Sequence, residues 1–310
     1  MAEVREFLKA RGYPDWIIER IQASFSTVRE LSMVPPRVLA ESCGVDAKIA
    51  REIVRQAAEA TVSLRPATEV ARTPKDYLKF LVRSIDELLG GGLPRGSLVE
   101  IYGEPGIGKT QTALHLAVNA LLPPEEGGLG GRVVYVDTEG GFSPDRVVAM
   151  ARARGLEPEF ALERISVAEV RTVEALLVAL SRARDEVKAG AVLVVVDSLL
   201  SPFRQEYSGL GMLAARQQRL AAALGELGRA ADLGAVCLIT NHVIGRTGGL
   251  QRYSPAGGYV LGHAPDPVLL IRRSVRNRRI LSVVDSSHLP PGEALFAITE
   301  AGLVDVEGLA

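Results

Sequence analysis

The chain has 310 residues, which at about 150 residues per domain points to two domains. Hydrophobic residues make up 47% and charged residues 24%, an ordinary globular balance that excludes a disordered or fibrous chain. A formal charge of −1 argues against a generic polyanion binder, and the longest apolar runs, Ala189–Val196 and Leu233–Thr240, fall far short of the ~20 residues that span a bilayer. Met1–Glu6 has no apolar stretch of the secretory kind, and Cys43 and Cys237 stand far apart, as packed thiols in a reducing compartment do. A cytoplasmic protein with no membrane partner is expected.

In chain order, residues 1–62 read as a small all-α domain. Trp16–Ile21 has helical spacing, Pro35-Pro36 separates it from Arg37–Glu41, and Gly44–Val54 reads as a turn and a helix with Asp46 as N-cap. Residues 63–76, with Pro66 and Pro74, suit a linker. Residues 77–310 then alternate β-branched runs with helical stretches. The runs are Leu98–Tyr102, Val133–Val136, Val192–Val196, Val236–Thr240, Val268–Ile271 and Ile280–Val284. Helices are predicted at Thr110–Leu121, Pro144–Arg154, Val170–Val187 and Leu213–Ala231. Apolar strands separated by helices imply an α/β core with a mostly parallel sheet covered on both faces. The last two runs suit a hairpin that extends it.

Charge is uneven along this core. Between Arg204 and Ile280 there are eleven arginines, no lysine and four acids. Such an excess suits either phosphate contact or an ordinary solvated surface.

The sharpest motif is Gly103-Glu104-Pro105-Gly106-Ile107-Gly108-Lys109-Thr110, a P-loop spacing with an apolar strand before it and a helix after it. Its glycines let backbone N–H groups wrap a phosphate at a helix N-terminus. Lys109 is placed to reach the outer phosphates of ATP, and Thr110 to ligate Mg²⁺. Asp197 ends the strand Ala191–Val196, where a carboxylate completes the Mg²⁺ site. Glu139 follows Val133–Val136, where it can position and deprotonate water. Asn241 and His242 follow Leu238–Thr240 and reach the same edge, as γ-phosphate sensors or as ordinary hydrogen-bonding residues. Four strand ends converging on one edge make NTP hydrolysis the expected reaction.

Further segments carry a resemblance. Ser84–Gly92, the P-loop with Gln111, Tyr135–Glu139, Val195–Ser198, Phe203–Tyr207, Leu213–Gln218, Thr240-Asn241, Asn277–Ile280 and Val284–Glu293 resemble the archaeal RadA branch of the RecA-family recombinases, collinearly over roughly residues 80–305. Gly44–Val54 is similar to the second helix-hairpin-helix element of that family. The resemblance implies a RecA-type P-loop ATPase core. The activity it implies is a DNA-dependent ATPase that forms an ATP-dependent filament on single-stranded DNA and pairs it with homologous duplex. The partners would be DNA and further copies of the chain in a filament or ring, or another RadA-family subunit, in a nucleoid-associated setting. Glu139 would be the catalytic base, Lys109 and His242 its companions, and Arg146 would stack on adenine. Asp285 and Pro290 would cap ATP across a subunit boundary. Residues 206–212 and 243–258 would be the two DNA loops, with Arg204, Arg216, Arg246, Arg252, Gly257 and Gly258 as contacts.

The sequence departs from that pattern at several places. Leu64-Arg-Pro-Ala67 stands where the family has Phe-x-x-Ala, the segment that docks on a neighbouring subunit. His242 replaces a Gln, Leu210 and Ser143 each replace an Arg, and Ser287 replaces a Pro. The first N-terminal hairpin lacks its Gly-x-Gly. Such changes also suit an accessory paralogue that modulates the recombinase without long filaments.

Overall fold

The computed structural model describes residues 4–64, 66–71, 76–207, 209–245, 253–275 and 278–306. The chain divides into two compact units, Met1–Pro74 and Lys75–Ala310.

The first unit is all-helical: α1 (Val4–Lys9), α2 (Asp15–Gln22), α3 (Val28–Met33), α4 (Pro36–Cys43) and α5 (Ala47–Thr61). Local chemistry sets the helix ends. Thr27 and Glu30 form a reciprocal capping box on α3, Pro36 opens α4 at N1, and Gly44 ends it at φ +61. Asp46 caps α5 by accepting from the Lys48 N–H at 2.8 Å, as its position predicts. Leu8, Ile17, Ile18, Ile21, Leu31, Leu39 and Ile53 form its core. Residues 63–76 are not structureless throughout, because Ala67–Ala71 forms a short helix, α6.

The second unit runs β1 (Tyr77–Leu78), α7 (Arg83–Leu88), β2 (Leu93–Pro94), β3 (Leu98–Gly103), α8 (Lys109–Asn119), β4 (Arg132–Asp137), α9 (Pro144–Ala153), α10 (Pro158–Glu163), β5 (Ile165–Glu169), α11 (Val173–Lys188) and β6 (Ala191–Asp197). It continues with α12 (Ser201–Glu206), α13 (Leu213–Asp232), β7 (Val236–Gly245), β8 (Tyr253–Pro255), α14 (Tyr259–Gly262), β9 (Val268–Arg273), β10 (Arg278–Asp285), β11 (Gly292–Thr299) and β12 (Gly302–Asp305). The main sheet has the order β12-β11-β10-β9-β3-β7-β6-β4-β5, with β8 paired to β7. Strands β9, β3, β7, β6, β4 and β5 are mutually parallel, and β10 to β12 add an antiparallel extension. This is the α/β architecture that the alternating runs imply.

Burial on both faces explains why the central strands are almost wholly apolar. One core packs Leu114 and Ala117 of α8 and Val147 and Met150 of α9 against Val99, Ile101, Leu193 and Val195. The other packs Leu176 and Leu180 of α11 and Leu220 and Leu227 of α13 against Val194, Val196 and Ile239. Among the described residues six strands escape the sequence patterns: β1, β2 and β8, of two or three residues each, the edge strand β5, with one buried residue in five, and the antiparallel additions β11 and β12. Cys43 and Cys237 are both buried free thiols. Among the described residues, no helix is long and apolar enough to cross a membrane.

Candidate active site

Strand register brings the predicted residues to one level of the sheet. Gly103 pairs with His242 across β3 and β7, and Asp137 pairs with Asp197 across β4 and β6. Strands β3, β4 and β6 end there, at the carboxyl edge of a parallel sheet where loops are free to build a site, and β7 runs three residues further, to Gly245.

The P-loop spans Gly103 to the start of α8. Gly103 lies so close to β9 that a Cβ would meet the Ile271 carbonyl oxygen at 2.5 Å. Gly108 has φ +113, a conformation that favours glycine, and Ile298 fills the space where a Cβ would go. Lys109 is 7% exposed, and its ammonium donates to the carbonyls of Gly103 and Glu104, both at 3.0 Å. Burial pulls its pKa down, against the attraction of Asp197 and Glu139. The loop thus already encloses its lysine.

A cation cradle lies beside it. Asp197 is buried, and one of its oxygens accepts from Tyr135 Oη at 2.9 Å while the other accepts from Thr240 Oγ1. A Cβ built on Gly141 would sit 3.6 Å from Thr110 Oγ1 and 3.8 Å from Asp197 Oδ2. With no side chain at Gly141, space beside both oxygens is left open. One carboxylate and one hydroxyl suit Mg²⁺, which keeps several waters and accepts phosphate oxygens. The residues present fit the ion.

Glu139 sits on a loop that Asp137 organises. The Asp137 carboxylate accepts from the backbone N–H groups of Glu139 (3.0 Å), Gly140 (2.7 Å), Gly141 (3.2 Å) and Phe142 (3.0 Å). Glu139 Oε1 accepts from Ser198 Oγ at 2.6 Å and pairs with His242 Nε2 at 3.0 Å. The Arg204 guanidinium lies 3.8 Å from the same oxygen. The His242 hydrogen bond foremost, then the Ser198 hydroxyl and the charge of Arg204, hold the Glu139 carboxyl down at about 2, although part burial opposes them.

Residues 78–306 match the Rad51 family. The chain belongs to the Rad51 family. It is 37% identical to the DNA repair and recombination protein RadA of Metallosphaera sedula over 294 residues, 92% of this chain and 91% of the relative. The RadA of Aeropyrum pernix is 38% identical over 300 residues (93% and 92% of the two chains), and that of Methanocorpusculum labreanum 38% over 306 residues (91% and 92%).

Other expected residues of this Rad51-family chain take varied positions. Arg146 on α9 is fixed by Gln111 Oε1 at 2.8 Å and by the carbonyls of Thr299 (2.8 Å) and Glu300 (3.0 Å), so its guanidinium plane is preset. Asp285 and Pro290 are exposed. Asp285 pairs with Val268, which pairs with Glu100, three residues back along β3 from Gly103. At ~3.3 Å per residue this is about 10 Å toward the opposite sheet edge. Their loop is tied down by Asp266, which accepts from Ser286 Oγ at 2.7 Å and from the Ser287 hydroxyl. The serine that replaces proline at 287 thus has its own anchor.

Asn241 corrects one expectation. It points away from Glu139 and donates to Glu100 Oε1 at 2.7 Å and to the Ala256 carbonyl at 2.6 Å, fully buried. His242 alone of the pair reaches the candidate base. Arg204, a DNA contact in the resemblance, lies beside Glu139. Arg216 is part-buried, and its neighbour Gln217 donates to the Gly257 carbonyl at 3.3 Å, which ties the root of the first loop to the end of the second. Gly257 is buried and Gly258 exposed. Arg246 and Arg252 lie outside the described residues.

Sequence reasoning gave no role to Ser198, Tyr135, Thr240, Gly141 or Glu100. Glu100 did leave a signal, as the one charged residue inside the apolar run Leu98–Tyr102.

Proposed function

We propose that this chain is a DNA-dependent ATPase that assembles on single-stranded DNA and promotes homologous pairing and strand exchange in recombinational repair. The observation that carries this reading is the contact of Glu139 with His242, because it joins a candidate base at the phosphate edge to the strand that runs into the second loop. The names of the curated relatives support the same biological setting.

In this reading Lys109 leaves the carbonyls of Gly103 and Glu104 for the phosphates of ATP, and loop N–H groups enclose the anion. Thr110 and Asp197 would hold Mg²⁺, which when bound neutralises charge on the phosphates. Glu139 orients the attacking water and takes its proton, a role worth roughly 10²–10⁴-fold in rate. Arg146, held flat by Gln111 and the β11–β12 turn, stacks on adenine. Asp285 and Pro290, exposed and remote from their own P-loop, serve the ATP of a neighbouring copy. Repeating that head-to-tail contact without closure builds a filament. Leu64 is fully exposed, and as the smaller apolar group in the docking segment it makes that assembly weaker than a phenylalanine would. The exposed Gly258 and the basic loops follow the DNA backbone.

The test is a strand-exchange reaction with single-stranded DNA, labelled homologous duplex, ATP and Mg²⁺. Joint molecules are expected only with homologous duplex and only when Lys109 is intact. ATP turnover without joint molecules would contradict the recombinase reading.

A further inference from the structure

Arg204 occupies a junction beside the candidate base. It lies in the last turn of α12, the helix that leaves the Asp197 edge and leads into the first loop. The helix is firmly seated. Phe203 is fully buried against Tyr207, with ring centroids 6.3 Å apart, and Glu206 accepts from the Val173 N–H at the start of α11 at 2.8 Å. From this seat the guanidinium faces Glu139 Oε1 at 3.8 Å, the oxygen already bonded to Ser198 and His242.

Two loop roots therefore converge on one carboxylate. His242 comes from β7, which leads into the second loop, and Arg204 comes from α12, which leads into the first. Each cationic or donor group on Oε1 stabilises the ionised carboxyl and makes it a poorer acceptor for a proton from water. The same arrangement that holds Glu139 still also weakens it as a base.

We infer that Arg204 is a positioning residue that latches Glu139 in the DNA-free state, and that DNA bound at the first loop draws the guanidinium away. This rests on the ATPase reading above and extends it, since it makes the first loop a second route from DNA to the base. The coupling operates through different partners of Glu139 in the two states, which is what a ligand needs to shift an equilibrium.

The experiment compares wild type, Arg204→Gln and Arg204→Lys in steady-state ATP hydrolysis with and without single-stranded DNA, alongside DNA affinity by fluorescence anisotropy. Arg204 is 42% exposed, so either replacement fits without repacking the core. In Arg204→Gln the DNA-free kcat is expected to rise about two- to fivefold, the worth of a half-exposed ion pair, with KM for ATP unchanged. The DNA-stimulated rate and DNA affinity should stay within about twofold of wild type, so the stimulation ratio shrinks. Arg204→Lys should restore the low basal rate. A basal rate unchanged or lowered in Arg204→Gln overturns the latch, and a fall in DNA affinity at unchanged basal rate returns Arg204 to the DNA contacts. If wild type itself is indifferent to DNA, the recombinase reading fails, while the basal rate of Arg204→Gln still reads the latch.

Discussion

Replacing Glu100 by Gln should remove a pH dependence of stability that the wild-type core carries. Glu100 lies on β3 with no exposed surface, and burial pushes its carboxyl up from 4.5 to about 7, although the Asn241 amide opposes the rise. Its Oε2 has no hydrogen-bond partner among the described residues, so nothing there rewards ionisation. A raised acid pKa favours the protonated form in the folded state. The contribution to stability is therefore full below the unfolded pKa and lost as pH rises from about 4.5 through about 7. A shift of this size corresponds to about 3 kcal/mol once the carboxyl is ionised in both states. Gln keeps an oxygen for Asn241 and never ionises. The variant should match wild type near pH 4 and exceed it by about 3 kcal/mol near pH 8. Urea unfolding followed by circular dichroism reads this difference. The single tryptophan, Trp16, sits in the first unit and does not report on the core. Parallel stability curves for the two proteins from pH 5 to pH 8 would refute the argument, because every other titrating group is common to both.

Two further outcomes follow from the site geometry. Gly141→Ala places a methyl within 3.8 Å of both cation-facing oxygens, at a backbone position outside the left-handed region. Apparent Mg²⁺ affinity in ATP turnover should weaken by about tenfold or more, because Mg²⁺ tolerates little distortion, while thermal stability is retained. An unchanged Mg²⁺ titration would move the cation site elsewhere. Arg146→Ala removes the preset guanidinium and its grip on the β11–β12 turn. KM for ATP should rise about tenfold with DNA-stimulated kcat within about twofold, the pattern of lost uniform binding; a fall in kcat alone would place Arg146 outside the base pocket.

The site was far more legible in the sequence than were its supports. The P-loop, Asp197, Glu139 and His242 could be read because each follows an apolar run that ends at the same sheet edge. What surrounds them comes from remote strands. Glu100 and Asn241 are 141 positions apart, and Ser198 reaches Glu139 across 59. No local periodicity encodes such pairs. Asn241 and His242 show the limit of strand-end reasoning: successive residues on a strand point to opposite faces, so one reaches Glu139 and the other turns into the core. Arg204 shows a related limit: the resemblance names it as a DNA contact, and nothing local in the sequence says that it also lies 3.8 Å from Glu139. Strand β5 was missed for a physical reason. An edge strand buries few residues, and β5 buries only Ile165 of its five, so the apolar signature that marks β3, β4 and β6 is absent.

The central claim is that DNA reaches the hydrolytic site through Glu139 and His242. Steady-state ATP hydrolysis with and without single-stranded DNA at low salt tests it most directly, in wild type and in His242→Ala. The wild-type rate should rise strongly on DNA, and the variant should bind ATP and DNA yet lose most of the rise. A rate indifferent to DNA, or a full rise without His242, would contradict the claim.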